Sequence, residues 1–126
     1  MSEPRRNDHV RVRPRRLRRT SALRQLVTET RLHPSDLVLP LFYREGLVSP
    51  KAIPSMPGVV QHTEDSLRVA VNDAAAAGLG GIMLFAVPEK RDELGSGATD
   101  PDGALNFAVR TALKEVGDTC VVMADL

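Results

Sequence analysis

The chain has 126 residues, 42% of them hydrophobic, and its 17 basic and 16 acidic residues leave a formal charge of +1. That length and apolar share suit one globular piece and exclude wholesale disorder. No apolar stretch approaches the roughly 20 residues of a membrane helix, no hydrophobic region follows the arginine-rich N-terminus as in a secretory leader, and a single cysteine, Cys120, excludes an internal disulfide framework; a cytoplasmic protein with no membrane partner is expected.

The charge is unevenly placed. Arg5, Arg6, Arg11, Arg13, Arg15, Arg16, Arg18 and Arg19 are opposed in the leader only by Glu3 and Asp8, which leaves 9 basic against 14 acidic residues from Thr20 onward. A basic arm on an acidic body suits nucleic-acid phosphates, an acidic protein surface, or nothing beyond solvent. Aromatic residues between the arginines would favour base stacking, and none occurs before Phe42.

Beyond the leader, helix and strand patterns alternate. In TSALRQLVTETRLHP, Thr20 or Ser21 can cap a helix whose face carries Leu23, Leu26 and Val27, and Pro34 forbids its continuation. The apolar run DLVLPLF, Asp36 to Phe42, predicts a strand, and Pro40 within it argues for a first or edge strand, or for incomplete pairing. A second helix follows in EDSLRVAVNDAAAAGLG. Thr63 caps it, Glu64 and Asp65 suit the positive end of its dipole, Leu67, Ala70, Val71, Ala74 and Ala75 form its apolar stripe, and Gly78 turns the chain at its end. GIMLFAVP, Gly81 to Pro88, is apolar on both alternating faces, as a parallel strand covered on both sides is. Asp100 as cap and Pro101 at the first position predict a third helix with Leu105, Val109, Ala112, Leu113 and Val116 on its stripe and Gly117 as its stop. TCVVMADL, from Thr119, returns as a third buried strand, in which Cys120 reads as a small buried hydrophobe.

Strand, helix, strand, helix, strand is the order of parallel crossover units and predicts an α/β fold. The helix-to-strand links are short, whereas Tyr43 to His62 and Pro88 to Thr99 are long. In a parallel barrel or doubly wound sheet the long links lie at the C-terminal strand ends, where active sites are built, and unstructured loops of that length are uncommon unless functional or disordered. Asp125 falls on that edge, as do Lys90, Arg91, Asp92, Glu93 and Ser96. Three parallel strands leave two open edges, so the pattern predicts the beginning of a larger fold.

The chemistry of single motifs is weak. GSG, Gly95 to Gly97, lacks the Gly-Lys-Ser/Thr or Gly-x-Gly-x-x-Gly context of a phosphate cradle and reads better as a flexible loop. His9, His33 and His62 have no short spacing suited to a metal. DPDG lacks the alternating acidic positions and distal glutamate of a calcium loop, so helix capping explains it better. A Schiff-base amine must be kept neutral by desolvation or a cationic neighbour, and Lys51, Lys90 and Lys114 all read as solvated.

Five collinear blocks nevertheless carry a resemblance: RPRRLRRTSALRQLVTET, DLVLPLFYREG, SMPGVVQHT, LFAVPEKRDELGSGATDPDGALNFAVRTALKE and VVMADL. From about Arg13 onward the chain is identified as similar to delta-aminolevulinic acid dehydratase, also called porphobilinogen synthase. The resemblance implies the N-terminal part, about the first three strands, of a TIM (β/α)8 barrel, with a basic arm and short helix over residues 1–35 and the first barrel units over 36–126. It implies a lyase of tetrapyrrole and haem biosynthesis that condenses two 5-aminolevulinate molecules to porphobilinogen with loss of water, through Schiff-base lysines on later strands. It also implies a divalent metal, zinc or magnesium, whose ligands follow Leu126, and a homo-oligomer, commonly an octamer, joined through the arm, which makes nucleic acid the lesser expectation. Asp125 is the one residue carried over, as an active-site carboxylate, while Leu126 stands where the family has valine or threonine. A chain without the lysines and metal ligands is expected to be inactive alone. The alternative is a binding module that grips nucleic acid or protein through the arginine arm.

Overall fold

The computed structural model describes residues 15–125. The arginines at positions 5, 6, 11 and 13, together with His9 and Leu126, lie outside the described residues. The chain divides into one unit ending at Arg31 and another beginning at Leu32.

In the first unit, a single 3-10 turn at Arg16–Arg18 precedes α1, Ser21–Leu26. Thr20 caps this helix, its Oγ1 accepting from the Leu23 N–H at 3.1 Å. The helix ends well before Pro34, because Val27 leaves helical geometry and the Thr28 hydroxyl donates back to the Arg24 carbonyl at 2.5 Å. Such hydroxyl-to-backbone bonds compete with the helical ladder. Leu26 and Val27 are exposed.

The second unit is a five-stranded sheet with two long helices on one face. Its strands are β1 (Val38–Arg44), β2 (Lys51–Ala52), β3 (Val60–His62), β4 (Gly81–Val87) and β5 (Val121–Ala124), in the order β2-β3-β1-β4-β5. All pairings are parallel except β2 with β3. The crossover pattern expected from the sequence is therefore present, but the link from Tyr43 to His62 contributes two short strands of its own, and β3 pairs with β1 at Phe42 and Tyr43.

β1 starts at Val38, because Pro34–Asp36 forms a 3-10 turn in which the Asp36 carboxylate accepts from the His33 N–H at 2.9 Å. This strand is central, with β3 and β4 on either side. Pro40 is tolerated for a local reason. The Glu45 N–H donates to the Val87 carbonyl, so amides at alternate positions from Glu45 back to Leu39 point to β4, and the missing donor of Pro40 falls on the other side, where β3 has not yet begun to pair.

Helices α2 (Glu64–Ala76) and α4 (Ala104–Val116) cover the face formed by Leu41, Tyr43, Ile82 and Leu84. α2 follows the sequence reading closely: Thr63 and Ser66 form a reciprocal capping box, Leu67, Val71 and Ala74 are buried, and Gly78 adopts φ +74°. α4 departs from it. Asp100 ends a short helix, α3 (Ser96–Thr99), and α4 begins at Ala104 after a turn in which Asp100 Oδ1 accepts from the Asp102 N–H and the Gly103 N–H reaches the Asp100 carbonyl. An aspartate bonding its own backbone two residues on makes a turn, and that turn displaces the expected cap. The buried stripe of α4 is Ala104, Ala108, Thr111, Ala112 and Val116, while Leu113 is 48% exposed. Small side chains let α4 approach α2 and the sheet closely, which apolar periodicity alone does not reveal.

The other face of the sheet carries Val38, Pro40, Phe42, Met83 and Phe85 by strand alternation. Ile82 and Leu84 are fully buried under the helices, whereas Met83 and Phe85, on the other face, are half-buried. Cys120 is buried. Among the described residues no helix is long and apolar enough to cross a membrane.

Candidate functional site

The C-terminal ends of β1, β4 and β5 emerge on one edge, as parallel pairing requires. The β4-to-α4 link rises there and is pinned at both ends. Near its start the Glu89 N–H donates to Glu45 Oε2 at 2.9 Å, joining it to the segment after β1. Near its finish Asn106 Nδ2 donates to the Asp100 carbonyl at 2.7 Å, and Arg110 holds the Pro101 carbonyl and, at 3.1 Å, Asp102.

Between these anchors Asp92 organises the loop. Its carboxylate accepts from the Ser96 hydroxyl and, at 2.9 Å, from the Ser96 N–H. Those bonds to the Ser96 side chain, then to its backbone, hold the Asp92 carboxyl below the usual carboxylate range. Gly95 supplies a left-handed φ of +63° for entry into α3. The GSG segment is thus part of a turn organised by Asp92.

A cavity of about 840 Å³ lies under this loop, its lining including Glu45, Lys90, Arg91, Asp92 and Ser96. Four of the five loop residues singled out from the sequence are brought together there, and Glu93 is not in the lining. Glu45, Asp100 and Asp102 also line it and were missed. A polar residue directly after an apolar strand was the available signal for Glu45; no sequence signal marked the other two as lining residues. A smaller cavity of about 180 Å³ sits beside it, bordered by Ala86, Pro88, Gly97, Ala98, Leu105 and Asp125. Asp125 follows β5, its N–H donating to the Leu84 carbonyl at 3.1 Å, and its side chain is exposed.

At the same edge, on the helix-covered face, Tyr43 pairs with His62 across β1 and β3 and packs at 5.6 Å against Phe107. Burial, then the charges of Glu45 and Glu64, push the Tyr43 phenol upward, and burial lowers the imidazole of His62, whose Nδ1 lies 3.1 Å from Ser66 Oγ. Lys51, Lys90 and Lys114 are all exposed. Among the described residues no three His, Cys, Asp or Glu side chains come together as metal ligands.

Comparison with known proteins gives a consistent result. The family model for delta-aminolevulinic acid dehydratase matches residues 11–126. The chain is 56% identical over 117 residues to the delta-aminolevulinic acid dehydratase of Streptomyces coelicolor, covering 91% of this chain and 36% of that protein. To the same enzyme of Mycobacterium tuberculosis it is 54% identical over 121 residues, covering 94% and 37%. The crystal structure of delta-aminolevulinic acid dehydratase (porphobilinogen synthase) from Toxoplasma gondii, in complex with the reaction product porphobilinogen, superposes with a TM-score of 0.71 at 36% identity, covering 90% of this chain and 32% of that one. The chain spans about a third of the length of the relatives it matches.

Proposed function

The chain belongs to the delta-aminolevulinic acid dehydratase family, and on that premise we propose that it supplies the N-terminal part of an enzyme that condenses two 5-aminolevulinate molecules to porphobilinogen with loss of water, in tetrapyrrole and haem biosynthesis. The collinear match across residues 11–126 carries this reading. In it, residues 1–35 are an arm and residues 36–126 open a (β/α)8 barrel, a fold of about 250 residues. The enzyme is cytoplasmic, and the arm joins copies of the chain into a homo-oligomer, an octamer in the family pattern. Protein docking is preferred to nucleic-acid binding because the family resemblance implies an arm that joins subunits.

Asp125 is the proposed active-site carboxylate. Its position directly after β5, on the edge where the parallel strands end, supports that role. A divalent metal, zinc or magnesium, belongs to the proposed enzyme, but the described residues do not fit one. No lysine of this chain is desolvated as a Schiff-base amine must be, so the 126 residues alone are expected to be inactive.

The test is porphobilinogen formation from 5-aminolevulinate with zinc or magnesium. A longer protein beginning with this segment is expected to form it and the isolated chain is not. Turnover by the isolated chain refutes its inactivity, and none from the longer protein refutes the function.

A further inference from the structure

Asp102–Gly103, in the turn that leads into α4, is the only Asp-Gly or Asn-Gly pair in the sequence. Packing requires its glycine. A Cβ built on Gly103 would overlap the Gly97 carbonyl oxygen and stand 3.1 Å from that of Asp100, a backbone-on-backbone contact with no room for a side chain. The same missing Cβ leaves the Gly103 nitrogen open to the Asp102 carboxyl. Two contacts hold those groups apart. The Gly103 N–H donates to the Asp100 carbonyl at 2.9 Å, and Arg110, which also bonds the Pro101 carbonyl, donates from Nη2 to Asp102 Oδ1 at 3.1 Å.

We infer that Asp102–Gly103 is a modification site, where the chain forms isoaspartate through a cyclic imide at a rate restrained by Arg110. The Gly103 nitrogen bonds to Cγ of the protonated Asp102 carboxyl, the C–OH bond breaks, and the hydroxyl leaves as water with the amide proton. Water then adds to the main-chain carbonyl carbon of the imide, and the bond from that carbon to the Gly103 nitrogen breaks. The chain now continues through Cβ and Cγ, with no net change in mass or oxidation state. Closure needs the nitrogen and Cγ in contact, so Arg110 must release the carboxylate before it can swing there. The product lengthens the backbone by a methylene at the start of α4, where the Gly103 carbonyl accepts from the Phe107 N–H at 2.9 Å, beside the larger cavity that Asp102 and Gly103 line.

The experiment ages the purified chain in warm neutral buffer and follows residue 102 by digestion and fragment mass spectrometry, which separates isoaspartate from aspartate, and by methyl labelling with an isoaspartyl methyltransferase and S-adenosylmethionine. Wild type is expected to gain isoaspartate at 102, more slowly than the same chain in urea. Arg110→Ala is expected to gain it roughly two to five times faster than wild type, the range that an exposed ion pair supports. Asp102→Glu, which closes only to a larger ring, is expected to gain none there. Wild type in about 1 M salt, where the screening length is about 3 Å, should speed up as Arg110→Ala does, so a variant that fails to fold leaves the comparison decisive. Isoaspartate absent from 102 once the urea sample has half converted, a wild-type rate equal to that in urea, or a rate indifferent to both salt and Arg110→Ala overturns the inference. Mass and label are read in place of turnover, and failure here is therefore distinguishable from failure of the porphobilinogen assay.

Discussion

Gly80 lies against Ser35 so closely that a Cβ built on it would stand 2.0 Å from the Ser35 carbonyl oxygen. The contact is backbone on backbone, and it seats the turn before β1 against the turn before β4 at the N-terminal end of the sheet. Gly80→Ala must push the two turns apart, and overpacking of this kind costs about 1–3 kcal/mol. A urea unfolding midpoint that falls with an unchanged slope confirms this, and an unchanged midpoint refutes the closeness of the contact.

Leu84 fills the centre of the helix-covered face and is fully buried. Leu84→Ala leaves a cavity between β4 and the helices and should cost about 2–5 kcal/mol. Val121 is 60% exposed, so Val121→Ala should change stability by no more than about 0.5 kcal/mol. The difference between their urea midpoints is the measurement.

Thr63 Oγ1 accepts from the Ser66 N–H at 3.2 Å, while Ser66 Oγ accepts from the Thr63 N–H at 3.0 Å. Thr63→Ala removes one arm of this box and should destabilise the chain by about 1 kcal/mol. Thr63→Ser keeps the hydroxyl and should stay near wild type in the same unfolding series.

His62 is lowered from its ordinary value of 6.5 by burial. Because its folded pKa lies below the unfolded one, the unfolded chain binds the proton first as pH falls. Stability is therefore full above the unfolded value and declines as pH drops through it toward the folded value. Urea midpoints measured between about pH 8 and 5 should fall in that lower range, and His62→Gln should flatten the slope. A slope of equal steepness in His62→Gln assigns the effect elsewhere.

Cys120 is 6% exposed, at the foot of β5. Its thiol should react with a bulky disulfide reagent only through opening of the fold, so the native rate should be roughly 100-fold or more below that in urea. Equal rates would mean that β5 is not held against β4.

What the residue order determined by itself was local. Thr63, the acidic first turn and Gly78 mark α2 because capping and dipole complementarity act within one turn of the chain. The apolar runs of β1, β4 and β5 and the short glycine turns before β4 and β5 dictate parallel crossovers for the same reason. The C-terminal edge with Asp125 and the β4-to-α4 loop follows from that order, since parallel strands bring their ends to one side.

Tertiary structure decided the rest. Two- and three-residue strands such as β2 and β3 hold only through hydrogen bonds to neighbours, so nothing in their own pattern announces them. The start of α4 depended on whether Asp100 bonded forward as a cap or into its own turn, and its buried stripe on how near α2 could come. Whether Phe42, Phe85 and Arg44 face helices or an open edge is likewise invisible to period-two alternation, which separates the two faces of a strand but does not say which one a helix will cover.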